Sequence, residues 1–139
     1  MSEKCVFCRI VTGQIPSHKI WEDDRAMAFL DINPSSQGHS LVIPKRHVSR
    51  LRDLAGEDSD SLFRAVCRLT GPIQDATGSD ACSVGVNDGE AAGQEVPHIH
   101  VHIIPRKMRD GGRVVQSLGG GVEVTRDLKS MADEITKRI

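Results

Sequence analysis

The run His98-Ile99-His100-Val101-His102-Ile103-Ile104, closed by Pro105 and Arg106, alternates histidine with branched aliphatic residues at a period of two. A strand with that pattern puts His98, His100 and His102 on one face and Ile99, Val101 and Ile103 on the other. One face is made for a hydrophobic core and the other for chemistry.

Working outward, Ala81 to Asn87 reads as a neighbouring strand with Cys82, Val84 and Val86 on its core face, and Asp88 to Gln94 as a glycine-bearing loop leading into the histidines. Further upstream, Lys19 to Glu22 and Ala26 to Asp31 read as two strands joined by a turn at Asp23-Asp24. The dense turn signal Asn33-Pro34-Ser35-Ser36-Gln37-Gly38 then precedes a strand from His39 to Ile43, ended by Pro44. Between these strands, Leu62, Val66, Leu69 and Ile73 recur at helical spacing from about Ser59 to Ala76, with Phe63 and Cys67 widening the stripe. Pro72 inside that helix is predicted to kink it. At the ends, Cys5 to Thr12 forms a short cap with Phe7, Ile10 and Val11 inward. Gly111-Gly112 and Gly119-Gly120-Gly121 mark a mobile segment, and Thr125 caps a last helix with Leu128, Met131 and Ile135 inward. The result is one α+β domain over residues 1–139: an antiparallel sheet of about five strands, a main helix and a C-terminal helix.

The chain's 18 basic and 19 acidic residues nearly cancel and form no basic block, which argues against nucleic acid as a partner. The N-terminus lacks the apolar stretch of a signal peptide, and no apolar run approaches the ~20 residues that span a bilayer. A cytoplasmic protein that does not engage membranes is expected. In that setting Cys5-Val6-Phe7-Cys8 points to a metal or a redox pair, whereas Cys67 and Cys82 read as small buried hydrophobes.

Three imidazoles on one strand do not make one metal centre. At ~3.3 Å per residue, His98 and His102 stand about 13 Å apart along a regular strand, too far for two imidazoles and two bonds of ~2.0–2.1 Å. They suit an anion site better. A neutral imidazole with an ordinary pKa of about 6.5 is a nucleophile near pH 7, and crowding by other imidazoles opposes its protonation. The middle residue, His100, is the natural nucleophile, and His102 is placed to hold a phosphate.

Together with Ala28-Phe29-Leu30-Asp31-Ile32-Asn33-Pro34, Gly38-His39-Ser40-Leu41-Val42-Ile43-Pro44-Lys45 and Asn87-Asp88-Gly89 through Ala92-Gly93-Gln94, this run resembles the histidine triad (HIT) nucleotide hydrolases and transferases over roughly Cys5 to Arg106. The resemblance is to their zinc-containing, Hint-like bacterial-type branch. It implies that His100 attacks the α-phosphorus of a nucleoside phosphoramidate, a dinucleoside polyphosphate or a similar purine nucleotide compound, and that water then releases a nucleoside monophosphate. It also implies that Asn87 orients phosphate or leaving group, His102 contacts phosphate, His39 supports the orientation of His100, and Asp31 binds the ribose hydroxyls. Ile10, Phe29 and Ile32 would line the base pocket, and the backbone of Gly93 and Gln94 would donate N–H groups toward phosphate. The chain departs from a familiar branch of the family at the position after Gln94, where a Ser or Thr hydroxyl is replaced by Glu95. A carboxylate there repels an anion, so no phosphate role is expected of it.

The same resemblance completes the Cys5 and Cys8 pair with His47 and His98 as a closed, structural zinc set, and it implies a homodimer. Two rival functions stay open on sequence grounds: a nucleotide-binding regulatory or scaffold protein with slow turnover, and a zinc-dependent hydrolase.

Overall fold

Five strands, β1 (Lys19–Glu22), β2 (Ala26–Leu30), β3 (Ser40–Pro44), β4 (Ala81–Gly85) and β5 (Val101–Arg106), form one antiparallel sheet of order β1-β2-β3-β5-β4 in the computed structural model, which describes residues 2–111 and 126–139. The helices are α1 (Val6–Val11), α2 (Gly56–Thr77) and α3 (Leu128–Thr136), with short 3₁₀ turns at Leu51–Asp53 and Glu90–Ala92. The α+β reading and the five strands hold. Gly112 and Gly119-Gly120-Gly121 of the glycine segment, and the Thr125 cap, lie outside the described residues. Asp127 caps α3 instead, its carboxylate accepting from the Ser130 N–H at 2.8 Å.

Both faces of the sheet are covered. On one, Ile20, Ala28, Leu30, Val42, Ile99, Val101 and Ile103 pack against Leu62, Val66, Leu69 and Ile73 of α2 and Met131 and Ile135 of α3. On the other, Met27, Phe29, Leu41 and Ile43 pack against Cys5, Phe7 and Cys8 of the N-terminal segment. β2 and β3 are therefore buried at every residue. The register Phe29↔Leu41 and Leu41↔His102 puts these three residues in one row across the sheet, with Gly85 opposite His102 on the far side.

Several local expectations change. The buried stripe of α2, which continues as one helix past Pro72, is narrower than the sequence pattern. Phe63 stays 42 % exposed and Cys67 is also exposed, because none of the described elements packs on that side of the helix. Cys82 on β4 and Val86 just after it pack on the core, but Val84 is 46 % exposed: β4 is an edge strand, and α2 lies mainly over β3 and β5. Only the second half of the histidine run is regular strand. Before Val101 the backbone follows the loop instead, the His98 N–H donating to the Val96 carbonyl and the Ile99 N–H to Val48. Pro105 is tolerated inside β5 because β3's ladder stops at Ile103. Its carbonyl accepts from Ser36 Oγ at 2.8 Å, on the side toward which its missing N–H would have pointed.

The loop before β3 is seated on the end of α2. Gly38 has φ +88°, and a Cβ there would stand 2.4 Å from Thr77 Cγ2. Only glycine allows that approach, which delivers His39 to the start of β3. No helix among the described residues is long and apolar enough to cross a membrane.

Candidate functional site

His39, His98, His100 and His102 are all buried, side by side on the face opposite α2. The rings of His100 and His102 are 5.1 Å apart, those of His39 and His102 5.2 Å, and those of His47 and His98 5.2 Å. Which nitrogen of each ring carries the proton follows from its partner. A carbonyl only accepts and an amide N–H only donates, so either one fixes the tautomer of a neutral imidazole.

His98 Nε2 lies 2.7 Å from the Pro44 carbonyl and therefore carries the proton. Its Nδ1 is left as a lone pair, 3.4 Å from Cys5 Sγ and 3.6 Å from Cys8 Sγ. His47 Nδ1 is 3.3 Å from Cys8 Sγ. Donor atoms of Cys5, Cys8, His47 and His98 all lie within 4.8 Å of one another. Two sulfurs and two imidazoles, one of them oriented by a carbonyl on its far nitrogen, are the donor chemistry of a closed zinc site. Cys5 also caps α1, its Sγ accepting from the Cys8 N–H at 3.5 Å. Burial raises the Cys5 thiol pKa above its ordinary value, and burial drives His98 down to about 4.

His100 Nδ1 is 2.8 Å from the His98 carbonyl, so Nδ1 is protonated and Nε2 keeps its lone pair. His39 Nδ1 accepts from the Ser35 N–H at 2.9 Å, which puts the His39 proton on Nε2. That proton points to His102 Nδ1 at 2.9 Å, and His102 in turn carries its own proton on Nε2. Burial, with His39 and His100 adding to it, lowers His102 to about 3. His39 is likewise lowered by burial, against the opposing pull of Asp31. Asp31 holds one carboxylate oxygen 3.6 Å from His39 Nε2 and accepts from the Asn33 N–H at 2.8 Å with the other. The set presents a nucleophilic nitrogen on His100 beside a hydrogen-bond donor on His102.

The other expected residues fall into place unevenly. His39 bonds His102, whose ring packs on that of His100, while the hydrogen-bond partner of the His100 ring is the His98 carbonyl. The N–H groups of Gly93 and Gln94 are engaged within their own turn. They donate to Glu90 and Gly89 carbonyls at 2.9 and 3.1 Å, closing the turn around Glu90–Ala92. The Gln94 side chain is also occupied, accepting from the Gly89 N–H at 2.7 Å and donating to Ser49 and Val96 carbonyls at 2.9 and 3.0 Å. Asn87, in contrast, makes no hydrogen bond among the described residues, and its Nδ2 lies 3.8 Å from where a Cβ on Gly93 would stand. Phe29 is 3 % exposed and offers packing rather than open surface, whereas Ile32 is 74 % exposed and Ile10 half-buried.

Sequence reasoning missed two contributors. Phe7 packs its ring edge-on against His100 at 5.1 Å, His98 at 5.8 Å and Phe29 at 5.6 Å. Its place between the two cysteines was the available signal. Ser35 acts through its backbone N–H, which no side-chain pattern reveals.

With this geometry in hand, comparison with known proteins is specific. The sequence model of the HIT domain matches residues 12–109. A Schizosaccharomyces pombe protein named adenosine 5'-monophosphoramidase is 36 % identical over 135 residues, 97 % of this chain and 98 % of that one. An Arabidopsis thaliana protein named adenylylsulfatase is 44 % identical over 110 residues, 79 % of this chain and 56 % of that one. Among solved structures, a Zn-bound histidine triad family protein from Mycobacterium smegmatis superposes with a TM-score of 0.83 at 32 % identity, over 97 % of this chain and 92 % of that one.

Proposed function

The chain belongs to the HIT domain family, and from that premise we propose that it hydrolyses nucleoside phosphoramidates through a covalent nucleotidyl-histidine. The observation that carries the reading is the pair of tautomers at the centre: a lone pair on His100 Nε2 beside a proton on His102 Nε2. In the first step the His100 Nε2 lone pair forms a bond to the α-phosphorus. The phosphorus–nitrogen bond of the substrate breaks, and its electron pair leaves with the amine, which takes a proton from water. The imidazolium so formed keeps its Nδ1–H on the His98 carbonyl. In the second step a water oxygen attacks phosphorus, the bond pair returns to Nε2, and the water proton goes to solvent as the nucleoside monophosphate departs.

Throughout, the His102 Nε2–H is a donor for a non-bridging phosphate oxygen, where negative charge gathers in both transition states. The unpartnered amide of Asn87 is a second. Asp31 serves the ribose hydroxyls, and Ile10 and Ile32 flank the base over the Phe29 and Phe7 rings. Cys5, Cys8, His47 and His98 would hold a zinc ion whose contribution is structural, tying α1 to the approach to β5. The edge of β4, unpaired among the described residues, supports a homodimer joined through the sheet, which light scattering would read as twice the mass of one chain.

The test is to incubate the protein with adenosine 5'-phosphoramidate, quench without acid and weigh the protein. A nucleotidyl adduct on the wild type that is absent from His100→Asn is the expected result. Turnover of His100→Asn at the wild-type rate would remove the nucleophile.

A further inference from the structure

We infer that Asp88 is a positioning residue: by gripping residues 50 and 51, its carboxylate fixes the Asn87 amide opposite His100 and so governs the rate of nucleotidyl transfer without touching the substrate. The inference rests on the chemistry proposed above and adds to it what aims the second phosphate donor.

The sheet brings Asn87 to the site but does not hold it there. β4 pairs with β5 as far as Gly85↔His102. Continued by two residues on each chain, that register sets Asn87 opposite His100, and the alternation that sends Val86 to the core sends Asn87 to the histidine face. The ladder has ended by then, since β4 stops at Gly85 and β5 starts at Val101. The Asn87 amide has no hydrogen-bond partner of its own among the described residues. The next anchor along the chain is the Asp88 carboxylate, whose Oδ1 accepts from the Leu51 N–H at 2.9 Å and from Arg50 Nε at 3.3 Å.

The residues after Asp88 are clamped to the same segment. The Arg50 guanidinium lies flat on Gly89, where φ is +104° and a Cβ would stand 2.9 Å from Arg50 Cζ and 3.1 Å from each terminal nitrogen. Only glycine permits that approach. The Gly89 N–H donates to Gln94 Oε1 at 2.7 Å, and Gln94 Nε2 reaches the Ser49 carbonyl at 2.9 Å. Asn87 is therefore carried between the end of a ladder and a clamp on residues 49–51. Of the two partners of Asp88, the amide matters more: the Arg50 side chain is 46 % exposed, so its ion pair contributes little. Both bonds end on Oδ1, so a side-chain amide at position 88 can keep them. A donor aimed at charge that gathers in the transition state acts on kcat more than on KM, and small misplacements of it are costly.

The experiment is a double-mutant cycle on kcat and KM for adenosine 5'-phosphoramidate, with wild type, Asn87→Ala, Asp88→Ala and the double variant, and with Asp88→Asn beside them. Asp88→Ala is expected to lower kcat about tenfold while KM stays within about twofold of wild type. Asp88→Asn should recover most of that rate. In the Asn87→Ala background, Asp88→Ala should cost less than about twofold more, because the amide it positions is already gone. Should Asp88→Ala fail to fold, Asp88→Ser, whose hydroxyl stops short of the Leu51 N–H, takes its place in the cycle. Four results overturn the inference while an adduct on His100 leaves the nucleotidyl chemistry standing: Asp88→Ala at the wild-type kcat, equal losses in the two backgrounds, Asp88→Asn as slow as Asp88→Ala, or Asn87→Ala at the wild-type rate. Absence of turnover in the wild type, with no adduct on His100, overturns both.

Discussion

Cys5, Cys8, His47 and His98 bring their donor atoms within 4.8 Å of one another, and so do Asp31, His39 and His102 on the same sheet face. By proximity alone each is a candidate metal centre. The far ring nitrogens separate them. His98 faces a carbonyl with its Nε2, so the nitrogen turned toward the cysteines is a lone pair, as a metal ligand must be. His39 faces an amide N–H with its Nδ1, so the nitrogen turned toward Asp31 and His102 carries a proton and is a donor. The first cluster has the donor chemistry that suits a cation, and the second directs hydrogen-bond polarity toward the place where the proposed substrate's phosphate would lie. His98 joins the two, with its ring in the first and its carbonyl on Nδ1 of His100, the proposed nucleophile.

The largest effect that would sharpen this contrast is His100→Asn. It should lower kcat by at least about a thousandfold while leaving bound zinc, read by elemental analysis, at the wild-type level. Next, Cys8→Ser should lose the metal and about 10 °C of thermal stability together. Stoichiometric zinc in a Cys5/Cys8 double mutant would contradict the assignment of the first cluster. A smaller effect separates donor from acceptor in the second. His39→Gln keeps an N–H directed at His102 Nδ1 and should cost about tenfold in kcat, whereas His39→Glu presents only acceptors and should cost about a hundredfold. Equal losses in the two variants would reduce His39 to packing.

The smallest effect is on acid stability. His102 is lowered to about 3 by burial and by His39 and His100, and His39 is lowered by burial against Asp31. In the window below the ordinary histidine value of about 6.5, the unfolded chain therefore binds protons that the native chain does not. The stability these residues contribute is complete above about pH 6.5 and is lost as pH falls toward 3. Denaturant midpoints measured across that window should fall, and fall less steeply in His102→Asn.

Much of this was legible in the sequence because it is written in side-chain periodicity. The alternation of His98, His100 and His102 with Ile99, Val101 and Ile103 gives the two faces even where the backbone has not yet become strand. Cys5 and Cys8 point by spacing to a metal or a redox pair, and the turn residues 33–38 announce the approach to His39. What stayed hidden is carried by backbone atoms. The Pro44 and His98 carbonyls and the Ser35 N–H set the tautomers, yet any residue supplies such groups. The use of the Gly93 and Gln94 N–H groups within their own turn was likewise invisible, as was the exposure of Phe63, Cys67 and Val84, which depends on what neighbouring elements fail to cover.

The claim that backbone partners divide the histidines is tested most directly by two-bond ¹H–¹⁵N correlation on the ¹⁵N-labelled protein at neutral pH, which reads the protonated nitrogen of each ring. The account predicts the proton on Nε2 in His39, His98 and His102, and a proton on Nδ1 of His100 facing the His98 carbonyl. A proton on Nδ1 of His102, or on Nε2 of His100, would contradict it.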